Sequence, residues 1–145
     1  MKFTTVFLTL FLSVQAFAIP TALTVQELSE TAYTKSFSDA DTTNTNSILN
    51  PSGDVFLVLE NPSGSGGSAT VTVSAGTSTV EVPGYGPLTK SALAVSLADG
   101  ETKFVGPFQT RGWNNSSGQL IVAATGAASG SVNLKAFRLK PSLRQ

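Results

Sequence analysis

The sequence predicts an all-β fold, a single-domain antiparallel β-sandwich or small jelly roll, and three observations carry the prediction. Short apolar runs alternate with polar residues at a period of two, as in Ser68-Ala-Thr-Val-Thr-Val-Ser74, the pattern of a half-buried strand. Turn residues cut the chain between those runs, with Asn-Pro-Ser-Gly used twice and Asp-Gly once. No ten-residue segment of helical period stands out, and Val25 to Tyr33 is the best candidate for one or two helical turns.

The elements follow in chain order. Residues 1–18, MKFTTVFLTLFLSVQAFA, place Lys2 before an apolar run and close on Ala16-Phe17-Ala18, the small-x-small pattern of a secretory leader. The apolar run falls short of the roughly 20 residues that span a bilayer. Cleavage after Ala18 is therefore expected, leaving residues 19–145, or 145 − 18 = 127 residues, as one secreted domain. Asn50-Pro-Ser-Gly53 and Asn61-Pro-Ser-Gly64 each place Asn at the first and Pro at the second position of a type I turn, and they bracket a strand from Asp54 to Glu60. The stretch Asn61 to Ser68 is a flexible connector. Beyond it come the strand at Ser68–Ser74, with Val71 and Val73 inward, and the alternation Leu93/Val95/Leu97. Ala98-Asp99-Gly100-Glu101 suits a tight hairpin into Thr102–Phe108, with Phe104 and Phe108 on one face. Gly118–Ala124 and Ser131–Leu139 complete the set, and a phase change in the last predicts a bulge near Ala136.

A sandwich strand needs only one apolar face, yet the strand Asp54–Glu60 has two. Val55, Leu57 and Leu59 form one face, and Phe56 and Val58 lie on the other. Either the segment from Glu27 to Asn50 folds over that second face or another subunit does. The second case makes Phe56 and Val58 interface residues.

Composition narrows the chemistry. There is no cysteine and no histidine, which removes disulfides, Ser-His-Asp and Cys-His catalysis, and His- or Cys-ligated metals. Without Lys2 the chain carries eight Lys/Arg against nine Asp/Glu, so no net charge calls for nucleic acid or an anionic membrane. No cofactor is expected, and the chain is read as a non-enzyme. Lys135, Arg138, Lys140 and Arg144 make a basic end, of the kind found on solvated terminal strands.

Other motifs are weaker. Gly84-Tyr-Gly-Pro-Leu-Thr-Lys90-Ser91 approaches a P-loop, but Thr89 replaces a glycine and Pro87 removes an amide, so a surface turn is the better reading. Asp39 and Asp41 in an Asx-rich loop are weak calcium candidates that depart from the EF-hand pattern at Asn44 and Asn50. Glu27 with Glu30, or Asp39 with Asp41, lie too close in sequence to suggest glycosidase carboxylates flanking a sugar. Tyr85 and Trp113, both in glycine-flanked loops, are candidate ligand-binding aromatics for a glycan, and the alternative for Trp113 is to cap one end of the core. Asn114 and Asn115 each begin an Asn-x-Ser sequon, a glycosylation acceptor in a eukaryotic secretory pathway.

From Ile19 onward the order of features resembles a group of small virion-associated proteins of tailed bacteriophages, of head-decoration or accessory structural type. The features are IPTALTVQ at 19–26, Ser38-Asp-Ala-Asp-Thr42, the strand Val55 to Asn61, a Thr-Val-Thr-Val strand, Gly106-Pro107-Phe108 and a closing Leu134 to Leu139. That resemblance implies a β fold with a surface-coating habit and no catalytic residues. A phage capsid component needs no export signal, so the leader is a departure from it. The expected function is a secreted structural or coat-type protein whose partners are copies of itself or a surface. The alternative is a monomeric binding module for a glycan or a host surface.

Overall fold

The structure, a computed structural model, describes residues 19–28, 38–40, 45–64, 66–76, 79–126 and 132–139. The leader, Glu30, Asp41, Lys140 and Arg144 lie outside the described residues. In chain order the elements are β1 Thr21–Leu23, β2 Val25–Leu28, β3 Ser38–Asp39, β4 Asn46–Leu49, β5 Val55–Glu60, β6 Ala69–Val73, β7 Thr79–Val82, β8 Gly86–Thr89, β9 Leu93–Leu97 and β10 Thr102–Phe108. A one-turn segment α1, Thr110–Trp113, then precedes β11 Gln119–Gly126 and β12 Asn133–Leu139.

The all-β reading holds. One sheet runs β1-β4-β11-β6-β9, the second runs β10-β5-β12-β2 with β3 paired to β12, and β7-β8 form a separate hairpin. The inward residues of both sheets make the core: Val55, Leu57 and Leu59 from β5, Val71 and Val73 from β6, Leu120 and Val122 from β11, and Leu134 and Ala136 from β12. Each Val or Leu buried this way contributes roughly 1.5–3 kcal/mol of transfer free energy.

The sheets are mixed, and the N-terminal segment is the reason. β1 runs parallel to β4, pairing Thr21 with Asn46. After a single break at Thr24, β2 runs parallel to β12, pairing Val25 with Ala136. One extended segment, broken at Thr24, therefore supplies an edge strand to both sheets. The expectation of helical turns at Val25–Tyr33 is corrected for Val25–Leu28, which is strand because its backbone groups complete the ladder of β12.

Two other expectations change. Ala98–Glu101 does turn, with Glu101 N–H donating to the Ala98 carbonyl at 3.0 Å, but β9 pairs with β6 and β10 with β5. The turn is a corner between layers and not a hairpin. The bulge lies on β10 and not at Ala136: β12 holds unbroken register on β5 from Asn133 to Phe137, whereas β10 slips between Val105 and Phe108. Gly106 sits at the slip with φ +120, and a Cβ there would lie 2.9 Å from the Cα and Cβ of Phe56. The extra residue changes the phase of the strand. Phe108 is consequently buried while Phe104 is 72% exposed, so the two do not share a face.

Glu101 organises the corner. Its carboxylate accepts the Ala98 N–H at 2.8 Å and pairs with Lys103 at 3.1 Å, while Lys103 Nζ donates to the Ser96 carbonyl at 2.6 Å. The Ala98 amide, then Lys103, hold the Glu101 carboxyl below its ordinary 4.5. A carboxyl lowered by folding stabilises the fold above its unfolded value, and that contribution disappears as pH falls through the lowered folded value. Glu101→Gln is therefore expected to lower the melting temperature slightly near neutrality and to match the wild type in strong acid. Thermal unfolding of both proteins across pH checks it.

Candidate functional site

Three regions hold most of the residues singled out in the sequence. The first is the hairpin β7-β8, joined by Pro83-Gly84-Tyr85, with Tyr85 N–H closing the turn onto the Val82 carbonyl at 3.0 Å. Alternation places Val80, Val82 and Leu88 on one side of it, and this side faces the α1 turn. Gly112 permits the contact: a Cβ there would lie 2.7 Å from Lys90 Cδ and 3.0 Å from Val80 Cγ2. The Lys90 stem thus packs on bare backbone, and its ammonium lies 4.0 Å from the centroid of the Trp113 ring. Such a contact contributes roughly 0.5–1 kcal/mol where partly exposed. Arg111 ties the other strand, its Nη2 donating to the Glu81 carbonyl.

Trp113 is half-buried against the core, edge-on to Phe108 at 5.2 Å and 83°. A sugar stacking on its ring would have to displace Lys90 from one face. Tyr85 is 83% exposed at the hairpin tip. The two aromatic candidates occupy different places, and neither lines the cleft of 280 Å³ between hairpin and turn. That cleft is lined by Val80, Val82, Leu88, Thr89, Lys90, Gln109 and Arg111. Sequence reading missed it, although the Val-x-Val alternation ahead of Pro-Gly-Tyr-Gly was a usable hairpin signal.

The second region is the outer face of the second sheet. Register sets Phe104, Val58 and Lys135 in one row, and Phe56, Phe137 and Gln26 in the next. Phe56 stacks on Phe137 at 5.6 Å and 25°. Of the two expected interface residues, Val58 is 5% exposed within the single chain and Phe56 is half-buried. Among the described residues, the exposed large apolar side chain of this face is Phe104, on edge strand β10.

The third region is the loop after α1, where the two sequons separate. Asn114 Nδ2 donates to the carbonyls of Asn50 at 2.8 Å and Gly118 at 3.2 Å, and its Oδ1 accepts from Asn50 Nδ2 at 2.9 Å. Asn115 uses only its oxygen, accepting the N–H groups of Ser117 at 2.9 Å and Gln119 at 3.0 Å. N-glycosylation replaces one of the two side-chain N–H hydrogens, and Asn114 donates two hydrogen bonds from that nitrogen, so a glycan on Asn114 is incompatible with this packing and one on Asn115 is not. When the chain passes through a eukaryotic secretory pathway, glycopeptide mass spectrometry is expected to find sugar on Asn115 and none on Asn114.

The calcium candidates are not brought into a described site. The backbone of Asp39 pairs with Asn133 in the β3–β12 ladder, while Asp41 lies outside the described residues. Among the described residues no helix is long and apolar enough to cross a membrane. Comparison of the chain with known protein families, with curated proteins and with solved structures returns no match.

Proposed function

We propose that the chain is a secreted, non-catalytic structural protein of coat type, which associates with copies of itself to cover a surface. The observation that carries this reading is Phe104. It stands 72% exposed on a strand that pairs only with β5 among the described strands, next to half-buried Phe56. A free sheet edge carrying an exposed aromatic is a template for pairing with another strand. Pro107 offers no N–H, so the pairing stretch is Thr102 to Val105. By contrast, the edge strand β9 has its Ser96 carbonyl capped by Lys103, which disfavours addition there.

Two described carboxylates fit a structural role better than an acid–base one. Glu101 is held ionised by its hydrogen bonds, and Glu27 receives Arg138 Nε at 3.0 Å. Export by the leader rests on the Ala16-Phe17-Ala18 pattern. Light scattering coupled to size exclusion tests the assembly. A molar mass above the monomer that rises with concentration, and falls to the monomer in Phe104→Glu, is expected; a monomer at every concentration overturns the reading.

A further inference from the structure

We propose that the cleft between the β7-β8 hairpin and the α1 turn binds a small organic carboxylate with an apolar body. One wall is hydrocarbon, from Val80, Val82 and Leu88, and Leu88 is 52% exposed although it faces a concave surface. The other wall is formed by Lys90, Arg111 and Gln109, residues whose side chains end in hydrogen-bond donors. Apolar lining with a few convergent polar groups is the ordinary make-up of a ligand site, and 280 Å³ lies just below its usual range of about 300–1,000 Å³.

Charge selects the ligand. The ion pairs formed among the described residues are Lys103–Glu101 and Arg138–Glu27, so neither Lys90 nor Arg111 has a carboxylate partner there. Lys90 rests on a ring face and Arg111 on a backbone carbonyl, and both leave N–H groups over for a further acceptor. Two uncompensated cations beside an apolar wall favour an anion, and a planar carboxylate matches the guanidinium fork. Both cations are fixed by contacts that do not involve a ligand, Lys90 on Gly112 and Trp113 and Arg111 on Glu81, so little ordering is needed on binding. The site is separate from the β10 edge, and assembly and ligand binding can fail independently.

The test is a titration of the full-length chain with phenylacetate and with its uncharged amide, phenylacetamide, followed by backbone NMR shifts. Saturable shifts confined to Val80, Leu88, Lys90, Gln109, Arg111 and their neighbours are expected, with the amide weaker by roughly tenfold or more, as loss of a charge-assisted hydrogen bond implies. Arg111→Gln is expected to bring the carboxylate down to the affinity of the amide, and Lys90→Met, which keeps the packed stem, to do so in part. Leu88→Ala weakens both ligands alike. Equal binding of the two probes, shifts scattered over the molecule, or no saturation overturns the proposal. Should Arg111→Gln lose the dispersed spectrum of the fold, Lys90→Met decides the question.

Discussion

Asn50→Ala is expected to lower the unfolding free energy by roughly 3–5 kcal/mol, because it leaves several buried hydrogen-bonding groups without a partner. Asn50 is fully buried. Its Nδ2 donates to the Phe108 carbonyl at 2.7 Å and to Asn114 Oδ1 at 2.9 Å, and its Oδ1 accepts the Val55 N–H at 3.3 Å. One carboxamide thus joins the start of β5, the end of β10 and the loop before β11. Asn50→Asp separates this role from that of a local turn residue. Asp is as well suited as Asn to the first position of a type I turn, so a local role predicts little change. The tertiary role predicts a large loss at neutral pH, since a carboxylate would face two acceptors. A folded-state pKa raised in this way stabilises nothing above it, so stability partly returns as the pH drops and the carboxyl regains a proton. Urea unfolding of the three proteins at neutral and acidic pH measures both effects.

Phe108→Ala is expected to cost a further large amount, roughly 3–5 kcal/mol, as is usual for a buried phenylalanine that leaves a cavity. The ring is 2% exposed and is the edge partner of Trp113, so its loss removes support from the turn on which Lys90 and the hairpin rest. Set against a total of about 5–15 kcal/mol for a domain, the variant stands near its unfolding limit at ambient temperature. The melting temperature is expected to fall by on the order of 10–20 °C, a drop that calorimetry reads directly. Trp113 fluorescence should also shift to the red as the indole gains water. A fall of only a few degrees would mean that Trp113 and its neighbours close over the cavity.

The inner faces were legible because burial imposes alternation, and the strands at β5, β6, β9, β10, β11 and β12 were all found within about two residues. What could not be read was anything decided between distant segments. β1 and β2 carry weak local preference and exist because they complete the ladders of β4 and β12. Alternation sets Phe104 and Phe108 on one face, and the slip at Gly106 separates them, because alternation alone cannot locate a bulge. Asn50 and Asn61 announced two turns by their spacing to Pro and Gly. Their tertiary bonds were invisible, such as Asn61 Nδ2 to the carbonyls of Gly67 at 2.8 Å and Ala98 at 3.0 Å. The candidate site divides the same way. Trp113 and Tyr85 were found as types, but the cleft depends on Gly112 admitting Lys90 and Val80, a contact that joins three separate stretches of chain.

Self-association is expected through the edge of β10, which pairs only with β5 among the described strands. Hydrogen–deuterium exchange at rising protein concentration, read at peptides covering Thr102 to Val105, tests it most directly. Self-association through this edge predicts that protection there grows with concentration while β9 stays unchanged, and that Phe104→Glu abolishes the growth. Exchange at β10 that is the same in dilute and concentrated samples would contradict it.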